Sequence, residues 1–204
     1  MSSLSFAGNS SSYLNVPNNV GLNFGTGDFT IEWYQYETDT NPFPRIFQIG
    51  NYPSTSIGVS IEGGSFIFWT NGSARFGPYL NSSDYKNKWV HFAICRSSSI
   101  TTIYKDGVNV FSMSDTNNYN GGNNLVVGNE SSPSNSAAFG GYIYYFHFVK
   151  GTALYTSNFT PTISYPTVIS DTVLLLNSIG FYGSLGNTVE NHNVTNVAII
   201  PSLP

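Results

Sequence analysis

Hydrophobic and polar residues alternate in short segments along most of this chain, and clusters of Asn, Ser, Gly and Pro separate the segments. In residues 29–36, Ile31 and Trp33 fall on one face of an extended strand. Thr30 and Glu32 fall on the opposite face. Segments with this alternation, or with a short apolar run, are predicted to form β-strands. They are residues 4–6, 13–16, 29–36, 45–49, 57–61, 65–69, 89–95, 100–104, 108–111, 125–127, 141–149, 172–176 and 194–200.

The residues between these segments favour turns and loops. Residues 62–64, Glu-Gly-Gly, and residues 106–107, Asp-Gly, each separate two apolar segments and predict tight hairpins. Residues 114–124 and 129–138 predict long polar loops, and only residues 151–155 are compatible with a helical turn. The pattern therefore predicts an all-β fold, a two-sheet antiparallel jelly-roll sandwich, over a single domain.

Composition narrows the classes of function. Charged residues make up 9% of the 204 residues and the net charge is −4, with no basic stripe of the kind that binds nucleic acid. No apolar run approaches the roughly 18 residues of a membrane-spanning helix. The first six residues lack the features of a signal peptide, so we expect any extracellular role to arise by another route, such as particle assembly. Cys95 is the only cysteine, which excludes an intrachain disulfide.

Several short segments occur in an order that is characteristic of one family. They are residues 4–8, 13–17, 24–32, 89–93 with Arg96, 103–108, 127–128, 139–143, and 152–155 leading to Phe159. In this order they resemble laminin G-like domains of the concanavalin A-like lectin and glucanase superfamily. The resemblance implies a jelly roll of two curved sheets that binds glycans or protein surfaces, in adhesive modules or viral particles. It also implies that Trp33 and Trp89 pack between the sheets.

Glucanases of this superfamily carry a Glu-x-Asp-x-x-Glu motif on one strand. The nearest match is residues 37–42, in which Pro42 replaces the third acid and a Pro/Asn loop is predicted instead of a strand. His91 and His147 lie in apolar segments and are interpreted as packed, hydrogen-bonded residues. Cys95 is interpreted as a buried, inert thiol. We therefore expect no enzyme, and glycoside hydrolysis stays the outside alternative.

Calcium is the one metal that the resemblance suggests, because laminin G-like domains often hold Ca²⁺ at the rim of the sandwich. Asp28, Asp115 and Glu130 lie near predicted turns and are the candidate ligands. Ca²⁺ requires six to eight oxygen ligands, usually with more than one carboxylate. The alternative for each residue is a turn cap without metal, so we expect no cofactor unless calcium binds here.

Aromatic residues near predicted loops are candidates for stacking on sugar rings. Trp69 lies beside Asn71, and Tyr79 and Tyr119 lie in or near polar segments. Sugar sites combine an aromatic face with a few polar groups, so these four residues are the predicted glycan site. Packing in the core is the alternative for each aromatic residue.

Two functions are compatible with these features. The first is a non-catalytic, lectin-like structural or surface-decorating protein of a virus particle, whose partners are other particle subunits or itself through sheet edges. Residues 197–200 could pair with the N-terminal strand of the same domain or with the edge of another subunit. The second is a stand-alone glycan-binding adhesion module. Virion localisation follows from the first, and neither requires nucleic acid or membrane insertion.

Overall fold

The alternating segments form β-strands, and every strand pair between them is antiparallel. The computed structural model describes residues 2–17, 20–38, 41–51, 57–120, 124–182 and 189–198. Over this part of the chain, nine strands form one sheet and seven form the other. The nine are β1 (Ser2–Ala7), β3 (Phe29–Glu37), β8 (Trp89–Ser97), β9 (Ile100–Lys105), β10 (Val108–Ser114), β12 (Gly140–Lys150), β13 (Thr172–Asn177), β14 (Phe181–Tyr182) and β16 (Thr195–Ala198).

The seven-stranded sheet faces the first one and completes the predicted sandwich. Its strands are β2 (Tyr13–Val16), β4 (Arg45–Ile49), β5 (Ile57–Glu62), β6 (Ser65–Thr70), β7 (Ser73–Tyr79), β11 (Leu125–Val127) and β15 (Glu190–His192). Its strand order is β15-β2-β11-β4-β5-β6-β7, and the larger sheet runs β10-β9-β8-β3-β12-β1-β16, with β13 paired to β12 and β14 to β13. Helical structure among the described residues comprises a 3-10 turn, Val20–Leu22, and one short helix, α1 (Ser82–Tyr85). No helix in this part of the chain is long and apolar enough to span a membrane.

The predicted hairpins are present. Gly63 and Gly64 have φ angles of 56° and 85° between β5 and β6, and Asp106 and Gly107 have φ angles of 51° and 78° between β9 and β10. Positive φ at both central residues matches the right-handed twist of paired strands. A Cβ atom on Gly107 would collide with the carbonyl oxygen of Phe159, so the second hairpin needs glycine for packing as well as for its φ angle.

Aromatic rings fill the space between the sheets. Trp33 is fully buried there and stacks on Phe146 and Phe92, with ring centroids 5.4 Å and 5.6 Å away. Phe47 of the opposite sheet meets the Trp33 ring edge-on at 5.8 Å. Such pairs add to the free energy gained by burying apolar area. The predicted inter-sheet position of Trp33 is therefore confirmed.

Trp89 occupies a different layer, and its predicted place between the sheets is wrong. It packs on the outer face of the nine-stranded sheet with Tyr34 and Tyr145 in a separate apolar cluster. Because side chains alternate along a strand and Val90 and Phe92 face the other sheet, Trp89 has to point away from it.

A loop covers part of this outer face, and we call residues 151–171 the strap. The Thr30 hydroxyl donates to the carbonyl of Thr152 and accepts the backbone N–H of Leu154, which holds the start of the strap in a non-helical path. The helical turn considered for residues 151–155 is therefore absent. Farther along, Tyr155 and Phe159 stack on each other over the β8–β9 pair.

The terminal and edge strands agree only in part with the sequence pattern. β16 pairs with β1, from Ser2 opposite Ala198 to Ser5 opposite Thr195, so residues 197 and 198 pair with the N-terminal strand of the same domain, the first of the two alternatives. Residues 199 and 200 of the predicted last strand lie outside the described part. Strands β7, β14 and β15 and helix α1 were not predicted. β7 contains Gly77 and Pro78, residues that argue against a strand except at a sheet edge, which is where it lies.

Candidate functional site

A cavity of about 560 Å³ opens at one end of the sandwich, and we call it the rim cavity. Its walls come from the end of β3, the loop after it, the β5–β6 hairpin, the end of β7 and α1. Its lining side chains include Glu37, Phe43, Tyr79, Tyr85 and Lys86. The volume falls within the range of small-molecule sites, about 300–1,000 Å³.

Backbone hydrogen bonds hold these elements together. The N–H of Leu80 donates to the carbonyl of Gly64 at 2.6 Å, which ties the end of β7 to the hairpin. The N–H of Asn87 donates to the carbonyl of Glu37 at 2.9 Å, which ties the residues after α1 to β3. A capping box at Asn81 satisfies the first turn of α1. The cavity is therefore built from fixed backbone and does not depend on side chains alone.

The floor of the rim cavity is polar although it continues the core face of β3. Trp33 Nε1 donates to Gln35 Oε1 at 2.7 Å, and Gln35 Nε2 lies 3.5 Å from Glu37 Oε2. The other Glu37 oxygen, Oε1, lies 3.4 Å from the ammonium of Lys86. Glu37 itself is completely buried, whereas the Lys86 side chain is 24% exposed. A buried carboxylate thus fixes a cation that faces the cavity.

The walls are aromatic and partly open to solvent. Tyr79 is 70% exposed and Phe43 is 48% exposed, which is unusual for large rings in this fold. A Cβ atom at Gly64 would lie 3.1 Å from the Tyr79 ring and 2.7 Å from the carbonyl oxygen of Leu80. Glycine at this position lets the Tyr79 ring rest against the hairpin. Tyr85 is buried, with the Lys86 ammonium 5.9 Å from the centre of its ring.

A second cavity of about 250 Å³ adjoins the first, and we call it the side cavity. Phe43 lines both, and Arg45, Glu62 and Trp69 line the second. The Arg45 guanidinium lies 4.7 Å above the Trp69 ring and donates to Glu62 Oε1 at 3.0 Å. Trp69 Nε1 donates to the Ser60 hydroxyl at 3.0 Å, so the edge of the indole is fixed as well. Cation and ring are held together as one unit.

A third cavity, of about 210 Å³, lies between the strap and the outer face of the nine-stranded sheet. At its base the Glu32 carboxylate accepts hydrogen bonds from three donors: His147 Nδ1 at 2.9 Å, Tyr155 OH at 3.0 Å and His91 Nε2 at 3.2 Å. Burial alone would raise the pKa of Glu32, but the bonds from His147 and His91 outweigh it and lower that pKa from 4.5 to about 2. His91 and His147 are buried and hydrogen-bonded, as predicted.

Burial has the opposite effect on the neighbouring neutral acids. It raises the pKa of the Cys95 thiol to about 12, which agrees with the predicted buried, inert cysteine. Burial, reinforced by the adjacent Glu32 carboxylate, also holds the pKa of Tyr155 far above its usual value. Tyr155 therefore donates to Glu32 as a neutral phenol at every physiological pH.

The four predicted glycan-binding residues fall in different places. Tyr79 lines the rim cavity and Trp69 the side cavity. Asn71 lies at the β6–β7 turn, where its Nδ2 donates to the carbonyl of Asn118 at 3.3 Å. Tyr119 needs correction, because it is fully buried and donates to Asp115 Oδ2 at 2.8 Å. Its ring is a core residue and is not accessible to a ligand.

The three candidate calcium ligands are all engaged in local hydrogen bonds. Asp28 Oδ1 accepts the N–H of Ser98, and Asp115 Oδ1 accepts the N–H of Asn117 in an Asx-turn. Glu130 Oε1 accepts the Ser134 hydroxyl at 2.7 Å. Over the described ranges, no group of three or more His, Cys, Asp or Glu side chains is arranged to hold a metal ion. Calcium binding stays a prediction.

Glu37 lies in a strand and not in the predicted loop. It is the last residue of β3 and not part of a loop, because Trp33, Gln35 and Glu37 continue one face of a nine-residue strand. Asp39, the second acid of the proposed motif, lies outside the described residues. Among the described residues that line the rim cavity, Glu37 is the one acid. Glycoside hydrolysis requires two carboxylates across the bond, so this lining provides half of that arrangement.

Glu37, Lys86, Phe43 and Tyr85 were not predicted to form a site. The signal that could have found Glu37 is the polar run Gln35 and Glu37 on the face that Trp33 buries, since polar residues at core positions usually serve a function. No comparable signal marks the others, because their proximity to Glu37 depends on how distant segments meet.

Comparisons with known proteins agree with this architecture. The family model for laminin G-type domains of the concanavalin A-like lectin/glucanases superfamily matches residues 8–154. The chain therefore belongs to the concanavalin A-like lectin/glucanases superfamily. A comparison with curated protein sequences finds no match.

Solved structures show the same fold at low sequence identity. A candidate carbohydrate binding protein from Bacteroides ovatus has a TM-score of 0.64 at 13% identity, covering 100% of this chain and 61% of that one. Domains LG4-5 of the mouse laminin alpha1 chain have a TM-score of 0.57 at 16% identity, covering 80% and 48%. The CBM40 module of a Ruminococcus gnavus sialidase, bound to α2,3 sialyllactose, has a TM-score of 0.54 at 11% identity, covering 76% and 94%. The chain thus spans less than two thirds of the Bacteroides protein.

Proposed function

We propose that this chain is a non-catalytic, lectin-like module that binds glycans in the rim cavity. The observation that carries the proposal is the pair of exposed rings, Tyr79 and Phe43, beside the buried Glu37–Lys86 ion pair. A concave site with aromatic walls and a few fixed polar groups is the arrangement that small polar ligands require. Two of the similar structures described above are named for carbohydrate binding, which supports the same proposal.

Each part of the cavity has a defined role in such a complex. The Tyr79 ring presents an apolar face on which the C–H groups of a sugar ring can stack. The Lys86 ammonium, which Glu37 holds at 3.4 Å, offers donors to the sugar hydroxyl oxygens. Because Glu37 fixes Lys86 before binding, less side-chain entropy is lost in the complex.

Substitution of Tyr79 tests the proposal directly. Wild-type protein is first applied to a glycan array, and the best ligand is then titrated by calorimetry. Tyr79→Ala should weaken binding about tenfold, which corresponds to ~1.4 kcal/mol. Ile179→Ala is the matched control, because Ile179 is 69% exposed and does not line the rim cavity. Absence of binding to every glycan on the array, or the same affinity for Tyr79→Ala as for wild type, would contradict the proposal.

A second function, compatible with the first, is that of a structural or surface-decorating protein of a virus particle. Strand β10 supports it, because this strand forms one edge of the nine-stranded sheet and none of its seven residues is charged. Natural edge strands are commonly protected by charged residues or proline. A bulge lies between Asn109 and Phe111, and the Asn109 N–H donates to Asn158 Oδ1, so the uncharged residues 111–114 are the part of this edge suited to pairing with another copy of the chain.

Sedimentation tests this second function. Wild-type protein should associate as its concentration rises, and Ser112→Lys on the exposed face of β10 should abolish that association. Ser164→Lys, on the exposed strap near Tyr144 of β12, adds the same charge away from β10 and should leave association unchanged. A wild-type protein that is monomeric at every concentration would argue against particle assembly through this edge.

A further inference from the structure

The rim cavity and the side cavity share one lining side chain. Phe43 lines both, and the β5–β6 hairpin borders both, through Gly63 and Gly64 on one side and Glu62 on the other. We call the combined surface the rim groove. Tyr79 lines the rim cavity, Trp69 lines the side cavity and Phe43 lines both, so a ligand that occupies both cavities has to be longer than one sugar ring.

Hydrogen bonds fix the middle of the groove. The N–H of Phe43 donates to the carbonyl of Ser136 at 3.2 Å, and Asn41 Nδ2 donates to the carbonyl of Ala138 at 2.8 Å. Phe43 is therefore held between the two cavities, although its ring is 48% exposed. An exposed aromatic ring held in this way is a platform shared by the ligands of both cavities.

The charges of the rim groove define the chemistry of its ligand. Both described cations are already paired, Lys86 with Glu37 at 3.4 Å and Arg45 with Glu62 at 3.0 Å. A third carboxylate, Glu130, also lines the side cavity. The lining residues thus carry three acids and two bases, which leaves a net negative charge and repels an acidic ligand.

We infer that the rim groove takes a neutral oligosaccharide of at least two sugar rings and discriminates against acidic glycans. The inference rests on the proposed glycan-binding function and adds the length and charge of the ligand. One ring stacks on Tyr79 and a second on Phe43, while the Arg45–Trp69 unit borders the position of the next ring. Discrimination arises because the lining carries three carboxylates and two cations, so an added carboxylate or sulfate meets a net negative charge.

A panel of defined sugars tests both parts. The probes are oligosaccharides of glucose, galactose, mannose and N-acetylglucosamine, from one to four rings, each beside its monosulfated form. Affinity should rise at least tenfold between one and three rings. The sulfated form should bind at least fivefold more weakly than its neutral partner at low ionic strength, and this ratio should shrink as salt is added.

Variants separate the parts of the groove. Phe43→Ala should weaken binding of a three-ring probe more than binding of a single ring, because the single ring keeps its stack on Tyr79. Glu130→Lys should improve binding of the sulfated probes at least fivefold, whereas Glu190→Lys, which adds the same charge outside the groove, should not. Ile179→Ala serves again as the neutral control.

The outcomes distinguish this inference from the proposed function. If no probe binds at any length, the glycan-binding function and this inference both fail. If sugars bind and Tyr79→Ala removes binding, but affinity is independent of length or the sulfated forms bind equally well, only the extended neutral groove is wrong. A length dependence that Phe43→Ala removes, with discrimination that Glu130→Lys removes, supports the inference.

Discussion

Strand β3 carries two buried glutamates, Glu32 and Glu37, that serve opposite purposes. They are five residues apart, so alternation places them on opposite faces of the sheet. Three donors surround the Glu32 carboxylate beneath the strap. Glu37 instead holds Lys86 at the floor of an open cavity. The two residues are similarly buried. They differ in that the partners of Glu32 lie beneath the strap, whereas the partner of Glu37, Lys86, lines an open cavity.

The difference appears in the energetics of the Glu32 network. Burial disfavours an ionised carboxylate, but hydrogen bonds from His147 and His91 reverse the effect and bring the pKa of Glu32 to about 2. His147 Nε2 also lies 3.0 Å from the Thr172 hydroxyl, so the network joins β3, β8, β12 and β13. A change at Glu32 therefore leaves several buried donors without an acceptor.

The largest expected effect follows from removing the charge of Glu32. Glu32→Gln replaces an acceptor of three hydrogen bonds with a group that can satisfy only part of them, and it should lower the free energy of unfolding by about 3–5 kcal/mol. Chemical denaturation measures the loss. Glu190→Gln, at an exposed carboxylate on β15, is the control and should stay within about 0.5 kcal/mol of wild type. A loss below about 1 kcal/mol for Glu32→Gln would show that the network is not a structural element.

The same network predicts a pH dependence of stability. The pKa of Glu32 is lower in the folded protein, at about 2, than its ordinary value of 4.5. Its contribution is thus complete above pH 4.5 and is lost as the pH falls toward 2. The difference in unfolding free energy between wild type and Glu32→Gln should therefore shrink as the pH falls from 4.5 toward 2. A difference that persists unchanged at pH 2.5 would contradict the assignment.

The hydrophobic pattern and the turn residues were sufficient to predict the main strands and two of the hairpins. Alternation identified the strands from 29 to 36 and 89 to 95, and glycine chemistry identified the hairpins at Gly63 and Gly107. Alternation failed for Trp89, because a near-continuous apolar strand gives no indication of which face is internal. The second apolar layer, which needs the strap to cover it, was therefore invisible in the pattern.

The candidate site was predicted only in part, and the reason differs from the one that applies to Trp89. Tyr79 and Trp69 could be identified as aromatic residues near turns, and they do line cavities. Tyr119 has the same local signal, yet it is buried because Arg96 and Asp115 surround it in the fold. The local sequence shows the type of each residue but not which distant segments it contacts. The rim groove is lined by residues from several segments that are far apart in the sequence, so its composition could not be predicted.

A smaller effect is expected from removing one donor of the Glu32 network. Tyr155→Phe keeps the stack on Phe159 and deletes one hydrogen bond to a charged acceptor, so it should cost about 1.5–3 kcal/mol of stability. Denaturation gives the stability, and calorimetry with the best glycan gives the affinity. The affinity should not change, because the strap is not part of the rim groove. A combined loss of stability and affinity would show that the two regions are coupled.

The smallest effect on stability should come from the counterpart substitution at the other end of β3. Glu37→Gln removes an ion pair whose cation is partly exposed, and partly exposed pairs contribute up to about 1 kcal/mol. Because the variant also releases Lys86 from its fixed position, glycan affinity should fall about tenfold even though the fold is retained. Lys86→Met removes the cation itself and should also weaken glycan binding, but it leaves the buried Glu37 carboxylate without its cation and should therefore cost more stability than Glu37→Gln. Should Glu37→Gln instead destabilise the protein as strongly as Glu32→Gln, the two glutamates would both be structural and the division between them would not hold.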